Sequence, residues 1–198
     1  LSEIAIFLPF FMLILFYMKE FIIKALVLDK EDMGDFDSRI FLYSPEYGKI
    51  IAKVKSSKKI LSKLNSHLEP FNFIDARVIN KIGMPQIVDA LLIEKLKPSW
   101  SLCKLLKFVK EITLDGQSDY YFWHLIKQSL FSGRINYHQL LASQGFDPKF
   151  AVCQNCQQSS PRYFLYKEQT FCCKECLYTL NYEIDTVAFE MNFGQIEA

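Results

Sequence analysis

Four cysteines near the C-terminal end of the chain constrain its fold more than any other feature. They form two C-x₂-C pairs, Cys153/Cys156 and Cys173/Cys176, with sixteen residues between the pairs. This spacing is typical of a four-cysteine zinc site, in which each pair forms a tight turn and presents two sulfurs to one ion. Four thiolates complete the tetrahedral shell and leave no position for a reacting water. The pattern therefore predicts a structural Zn²⁺ rather than a catalytic one.

Two other uses of the cysteines are less favoured. Disulfides fit poorly because nothing else in the chain resembles a small secreted scaffold, and a thioredoxin-type redox motif fits poorly because no βαβ pattern surrounds the pairs.

Cys172 adjoins Cys173 and complicates the assignment of ligands. We assign Cys173 because it keeps the two-residue spacing to Cys176. Cys103 lies alone in an apolar helical pattern, and we predict that it is a buried thiol.

The first seventeen residues differ in composition from the rest. Ile4 to Tyr17 is a run of fourteen apolar or aromatic residues, whereas a helix that spans a membrane needs about 20. No Lys or Arg precedes the run and no small-residue cleavage site follows it, which argues against a secretory signal. We expect translation to begin at Met18, so that residues 1–17 are an upstream extension. A membrane anchor and a buried apolar segment are the alternatives.

Between Met18 and Leu96 the pattern is mostly that of β-strands. The turn Pro45-Glu46-Tyr47-Gly48 separates two of them, and residues 30–37 are predicted to form a loop. A helical spacing of apolar residues covers 56–68. Up to five strands with one helix favour a small Greek-key barrel of the OB type, with a two-sheet sandwich as the alternative. The strands are predicted at 21–28, 39–44, 49–55, 71–80 and, with a helix as the other interpretation, 86–94.

After Lys97-Pro98 the apolar residues recur with a helical period. The predicted helices cover 99–113 with Ser99 as N-cap, 119–131, 135–143, and a last stretch from the second cysteine pair to about Met191. The chain is thus expected to be an α+β protein. Its parts are an apolar extension (1–17), an OB-fold domain (18–96), and a helical domain (97–198) with a zinc knuckle at 150–180.

A basic run lies in the first domain. No Asp or Glu occurs between Glu46 and Glu69, whereas ordinary solvated faces mix both signs of charge. An OB barrel binds single strands through a positive groove and aromatic platforms, so the run predicts phosphate contacts. Tyr43, Tyr47 and Phe41 are candidate platforms, with a core position as the equal alternative for Phe41. A solvated lysine face is the alternative. The candidate nucleic-acid-binding residues are Lys49, Lys53, Lys55, Lys58, Lys59 and Lys63.

No catalytic constellation is visible. The three histidines, His67, His124 and His138, are scattered and lie in no nucleophile or metalloprotease motif. There is also no phosphate-cradling Gly-rich loop. We therefore expect a binding protein rather than an enzyme, with no catalytic residues.

The order of these parts resembles the RecO family of recombination mediators. The likeness extends from Met18 to about Tyr182. The chain is short for the family. It departs from the family at Lys55-Ser56-Ser57-Lys58 and Thr170-Phe171-Cys172, where the family tends to have glycine. The segments that resemble the family are 25–28, 34–37, 40–49, 62–64, 68–71, and Gly145-Phe146 with Pro148 and the first cysteine pair.

The resemblance implies a role in recombinational DNA repair. It implies binding of single- and double-stranded DNA, annealing of complementary strands, and help in loading a recombinase onto strands covered by single-strand-binding protein. It also implies a RecR-like partner and a cytoplasmic, nucleoid-associated location in a bacterium. The alternatives are an RNA-binding factor with an OB fold and a zinc ribbon, and a membrane-anchored zinc protein.

Overall fold

The computed structural model describes residues 20–57, 64–80, 83–159, 161–179 and 188–190. The chain divides into two units: the first runs to Lys97 and the second begins at Pro98. One short segment, Asp115–Ser118, belongs to the first unit although it lies between two helices of the second.

Five strands build the first unit: β1 (Glu20–Met33), β2 (Asp37–Ser44), β3 (Gly48–Val54), β4 (Asn72–Ile79) and β5 (Gln86–Lys95). They close into a barrel in the order β1-β2-β3-β5-β4, with β1 paired to both β2 and β4. Only the β3–β5 pair among these five strands is parallel. Since successive side chains alternate between the two faces of a strand, every second residue enters the core. The core residues include Ile23, Ala25, Val27, Ile40, Leu42, Ile50, Ala52, Val54, Ile74, Ala76 and Val78.

The first hairpin is longer than predicted. The expected loop over 30–37 is wrong, because β1 continues to Met33 and only residues 34–36 form the turn. The polar residues that suggested a loop lie at the solvent-exposed end of a strand pair, where Glu31 is paired with Arg39 across the strands. Their side chains form an ion pair of 3.7 Å between Glu31 Oε2 and Arg39 Nη1. Polar composition is therefore compatible with a strand here.

The predicted helix over 56–68 is wrong at residues 64–68, which form turns, and residues 58–63 lie outside the described part. The turns are held by Asn72, whose Nδ2 donates to the carbonyl oxygens of Ser66 (3.1 Å) and His67 (2.9 Å). Leu68 is fully buried in the barrel core. The ambiguous segment near 86–94 is strand β5.

The second unit begins with three helices: α1 (Trp100–Ile112), α2 (Tyr120–Ser132) and α3 (Tyr137–Ser143). The start of α1 agrees with the predicted cap, because Ser99 Oγ accepts from the Leu102 amide. The start of α2 is capped in the same way, with Asp119 Oδ1 accepting from the Phe122 amide. One prediction about α1 is wrong. Cys103 is exposed, because the apolar spacing places Leu102, Leu105, Leu106 and Val109 on the buried face and Cys103 on the other.

The end of the second unit contains a small antiparallel sheet in the order β7-β6-β8. Its elements are β6 (Tyr163–Leu165), β7 (Thr170–Cys172), helix α4 (Lys174–Thr179) and β8 (Ala188–Glu190). The expected helix to about Met191 is wrong at 188–190, where β8 pairs with β6, and residues 180–187 lie outside the described part. A short apolar run fits a strand as well as a helix, and here the backbone of β6 decides the outcome.

Across the described ranges, no helix combines the length and apolar character that crossing a bilayer requires. The predicted apolar extension, residues 1–17, lies outside these ranges.

Candidate metal centre and nucleic-acid interface

The first cysteine pair lies in a tight turn that backbone hydrogen bonds hold closed. The Cys153 amide donates to the carbonyl oxygen of Gln158 (2.8 Å), and the Gln157 amide donates to that of Cys153 (2.9 Å). A third bond, from the Gln154 amide to the carbonyl oxygen of Phe171 (2.9 Å), ties this turn to β7. The turn that carries the first pair is therefore fixed beside the strand that leads to the second.

The second pair lies at the junction of β7 and α4. Cys173 precedes the helix and its carbonyl oxygen accepts from the Leu177 amide at 3.1 Å. The amide of Cys176 points at Cys173 Sγ, with an N···S distance of 3.4 Å. This amide lowers the pKa of the Cys173 thiol, but burial and the side chains of Cys156 and Glu175 outweigh it, so that the pKa is raised above its ordinary value.

The structure brings the two pairs together. The Sγ atoms of Cys153, Cys156, Cys173 and Cys176 all lie within 4.8 Å of one another, and those of Cys156 and Cys173 are 3.6 Å apart. A tetrahedral ion with metal–sulfur bonds of about 2.3 Å needs sulfurs about 3.8 Å apart. The four side chains therefore fit one metal ion of tetrahedral preference, and all but Cys156 are buried.

Local donors distinguish the five cysteines of this region. Burial raises the pKa of the Cys153 thiol, but the amides of Cys156, Cys173 and Asn155 outweigh that effect and lower its pKa to about 6. Burial, followed by the charge of Cys153, raises the pKa of Cys172 to about 12. Asn155 adds a side-chain donor, with Nδ2 3.2 Å from Cys176 Sγ. Cys172 lies outside the cluster of four.

Left-handed backbone lies within one departure from the family pattern and directly before the other. Ser56 has a φ of 54°, and Gln169, which precedes Thr170-Phe171-Cys172, also has a φ of 54°. A third such residue, Gln157 with a φ of 60°, follows the first cysteine pair. Glycine adopts this conformation at no steric cost, whereas a residue with an L side chain is destabilised by it. The chain thus keeps a glycine-like backbone at these places without glycine.

The lysines of the basic run have different surroundings in the folded protein, although they are neighbours in the sequence. Lys53 Nζ lies 2.7 Å from Asp37 Oδ2, and Lys49 Nζ lies 3.3 Å from Asp115 Oδ1. Lys55 is exposed just beyond the end of β3. Lys58, Lys59 and Lys63 lie outside the described residues. Sequence reasoning missed the two acidic partners because they come from distant parts of the chain.

Close packing against Gly48 places the segment Asp115–Ser118, and with it the Asp115 carboxylate, beside β3. Gly48 has a φ of 65°, and a Cβ atom added there would lie 1.9 Å from the carbonyl oxygen of Gln117. Next to it, the Gly116 amide donates to the carbonyl oxygen of Lys49 at 2.9 Å. Glycine is thus required at position 48 both for its backbone conformation and for the close approach of this segment. The turn predicted at 45–48 accounts for the backbone conformation of Gly48. The sequence did not indicate the close approach of residues 115–118.

Among the candidate aromatic platforms, the prediction for Tyr43 is wrong, and Phe41 follows its alternative interpretation as a buried residue. Tyr43 is 1% exposed and Phe41 is 7% exposed, so neither ring is available to a base. Tyr47 is 43% exposed and its ring centroid lies 5.2 Å from that of Phe21. Strand alternation alone did not reveal which outward residues are covered.

Comparison with known proteins gives consistent matches. Residues 18–96 match the family model described as "Recombination protein O N terminal". The chain is 23% identical to the DNA repair protein RecO of Alkaliphilus metalliredigens over 85% of this chain and 75% of that protein. It is 23% identical to that of Thermodesulfovibrio yellowstonii over 88% and 77% of the two chains. It is 24% identical to that of Dehalococcoides mccartyi over 79% and 70%.

The family model covers the residues that form the barrel, and the three relatives extend the match through most of the second unit. Their agreement confirms the resemblance that the order of parts predicted. The barrel thus matches the N-terminal domain of the RecO family, and the chain as a whole is similar to RecO proteins along most of its length.

Proposed function

We propose that this protein is a DNA-binding mediator of recombinational repair. The family match over the barrel and the relatives named as DNA repair proteins support this role. The observation that carries the proposal is the barrel itself, whose five strands follow the order β1-β2-β3-β5-β4. That arrangement suits the OB type, which binds oligonucleotides on its outer surface.

The basic run supplies the phosphate contacts in this proposal. Lys55 is exposed and opens the connection that contains Lys58, Lys59 and Lys63. Lys49 and Lys53 are held by Asp115 and Asp37, so they contribute less free charge to a phosphate. We therefore assign the larger share of DNA binding to Lys55 and the three lysines of the connection, and a smaller share to the two that are paired.

The metal has a structural role in this proposal. Four thiolates from Cys153, Cys156, Cys173 and Cys176 would hold a Zn²⁺ ion, and a closed shell of four sulfurs supplies folding free energy rather than a reactive water. The cluster fastens the first cysteine turn to β7 and α4. The protein acts without catalytic residues of its own.

The likeness to the RecO family extends the proposal to partners. The protein would bind single- and double-stranded DNA, anneal complementary strands, and assist a recombinase to load where single-strand-binding protein covers the DNA. A RecR-like protein would act with it. These steps place it in the bacterial cytoplasm, associated with the nucleoid.

The test is a set of DNA-binding curves measured over a salt series. Replacing Lys55, Lys58 and Lys59 with Ala should lower the affinity for all sequences alike and reduce the salt slope by about 2, at about 0.7 per lost contact. Thermal stability should change little, because exposed charges contribute little to folding. Lys95→Ala, an exposed lysine at the end of β5, is the matched control and should leave both quantities unchanged.

Annealing of complementary DNA strands separates this function from RNA binding. The wild-type protein should accelerate annealing, and the triple variant should not. An unchanged affinity and salt slope in the triple variant would refute the assignment to the basic run. Binding to RNA without annealing of DNA would refute the proposed role.

A further inference from the structure

The exposed face of α1 carries an aromatic ring and two lysines at helical spacing. Trp100 is 73% exposed, and Lys104 and Lys107 are exposed as well. Positions i, i+4 and i+7 lie on the same side of a helix. The opposite side is the buried face, which contains Leu102, Leu105, Leu106, Phe108, Val109 and Ile112.

Both lysines approach aromatic rings. Lys104 Nζ lies 5.2 Å from the ring centroid of Trp100, and Lys107 Nζ lies 5.9 Å from that of Tyr166. Tyr166 is only 6% exposed, so it lies beneath the lysine and Trp100 is the open ring. Lys110 follows on the next turn, and Glu111 is the single acid within α1.

A single exposed apolar side chain is ordinary in a folded protein. Trp100 differs because two exposed lysines share its side of α1. Proteins that bind single strands combine stacking of bases on aromatic rings with cations that follow the phosphates. Trp100 offers the ring, and Lys104 and Lys107 offer the cations along about 10 Å of helix.

We propose that Trp100, Lys104 and Lys107 form a second single-strand-binding surface, the α1 strip, separate from the basic run of the barrel. This inference rests on the proposed function, because it assumes that the protein binds single-stranded DNA. The α1 strip adds a stacking platform, which the barrel candidates Phe41 and Tyr43 do not provide because they are buried.

The geometry favours a nucleic acid over an acidic peptide. Peptides anchor apolar side chains in grooves, and the groove of the second unit lined by Phe146, Phe150 and Phe171 includes no residue of α1. Trp100 instead projects from the solvent-facing side of a helix, where a base can stack without entering a pocket.

Two other lysine–aromatic pairs in the second unit serve as matched controls. Lys127 lies 6.0 Å from the ring centroid of Phe131 on α2, and Lys174 lies 6.0 Å from that of Tyr178 on α4. Each is a lysine above an aromatic side chain on a helix, but neither helix has further lysines on the same side. They test whether any exposed lysine–aromatic pair is enough to bind single-stranded DNA or whether binding requires the α1 strip.

Tryptophan fluorescence gives a direct measurement. The chain has two tryptophans, so Trp123→Phe leaves Trp100 as the only one. Titration of this variant with oligothymidylate should quench its emission saturably, in step with the anisotropy of labelled oligonucleotide. Trp100→Ala should weaken binding about 5- to 100-fold. Lys104→Gln with Lys107→Gln should reduce the salt slope by about 1.4, and Lys127→Gln with Lys174→Gln should change nothing.

A second measurement uses the wild-type protein, so it does not depend on whether a variant folds. Cys103 is exposed and lies one turn from Trp100, so bound oligothymidylate should slow its alkylation, mapped by mass spectrometry. Unchanged Trp100 emission and unchanged Cys103 alkylation at saturating DNA would overturn the α1 strip while leaving the proposed function intact. Absence of any DNA binding would overturn both. Quenching by an acidic peptide but not by oligothymidylate would identify a protein-docking surface and overturn this inference.

Discussion

Single glycine positions show how local backbone geometry determines the barrel surface. Gly48 and Gly34 have similar φ values of 65° and 68°, but only Gly48 faces another segment closely. An alanine at either position has the cost of a left-handed L residue, about 1–2 kcal/mol. At position 48 its Cβ must also displace the backbone of Gln117.

We therefore predict that Gly48→Ala destabilises the protein by about 1–3 kcal/mol more than Gly34→Ala, since overpacking adds to the backbone cost. Denaturant unfolding of both variants measures the difference. Equal losses in the two variants would show that the segment Asp115–Ser118 does not need its close approach to Gly48.

At the same scale, four of the described residues other than glycine occupy backbone that glycine usually adopts. The left-handed φ values of Ser56, Phe71, Gln157 and Gln169 could not be read from their residue types. Turn prediction relies on glycine, so it misses positions where another residue adopts the left-handed conformation at a steric cost. The departures from the family pattern pointed only to the surroundings of Ser56 and Gln169.

The paired strands β2 and β3 depend on one carboxylate. A hydrogen bond from Lys53, then one from the Ser56 amide, lowers the pKa of Asp37 below its ordinary value. A lowered folded-state pKa contributes stability above the unfolded-state pKa, and that stability is lost as pH falls through the folded-state pKa. Asp37 therefore makes the barrel more sensitive to acid.

Asp37→Asn should lower stability at neutral pH and make stability fall less steeply on acidification. The amide can still accept from Ser56 but no longer attracts the Lys53 cation. Urea unfolding from neutral to acidic pH measures both effects, with Asp35→Asn in the adjacent exposed turn as control. If the slopes of stability against pH for Asp37→Asn and wild type coincide, the ion pair with Lys53 contributes nothing.

The cysteine cluster allows a comparison between adjacent residues. Cys173→Ser removes a member of the cluster of four, whereas Cys172→Ser does not. Metal analysis should find about one zinc per chain in wild type and in Cys172→Ser, but nearly none in Cys173→Ser. Cys172→Ser should still cost about 1–3 kcal/mol, because a hydroxyl replaces a buried thiol. Retention of zinc by Cys173→Ser, with loss from Cys172→Ser, would reverse the assignment.

Elements with strong local signals were predictable, and those decided by distant partners were not. The strands of the barrel followed from alternation, and the capped start of α1 followed from Ser99. The extension of β1, the turns at 64–68 and strand β8 depend on cross-strand partners and on Asn72. Secondary-structure signals within a segment contain no information about such partners.

For the whole chain, sequence spacing predicted the metal centre better than the charged surface. The two C-x₂-C pairs define their own geometry, and the folded chain brings all four sulfurs together. The basic run is free of acids only along the sequence, because folding places Asp37 and Asp115 beside two of its lysines. Charge runs are therefore weaker evidence for a binding surface than ligand spacing is for a metal site.

The division into two units leads to a prediction for the whole molecule. Every cysteine of the cluster belongs to the second unit, while the barrel core consists of residues of the first. Because loss of a structural zinc removes folding free energy, chelation should strip amide hydrogen-exchange protection from β6, β7 and α4. Protection of β1 to β5 should remain close to that of the untreated protein.

The same treatment tests how the two units share DNA binding. After chelation, the contacts from the basic run should persist because the barrel retains its own core. The measurement is hydrogen exchange with mass spectrometry, paired with DNA binding before and after chelation and after zinc is restored. Simultaneous loss of protection in β1 to β5 would show that the barrel does not fold independently of the metal centre.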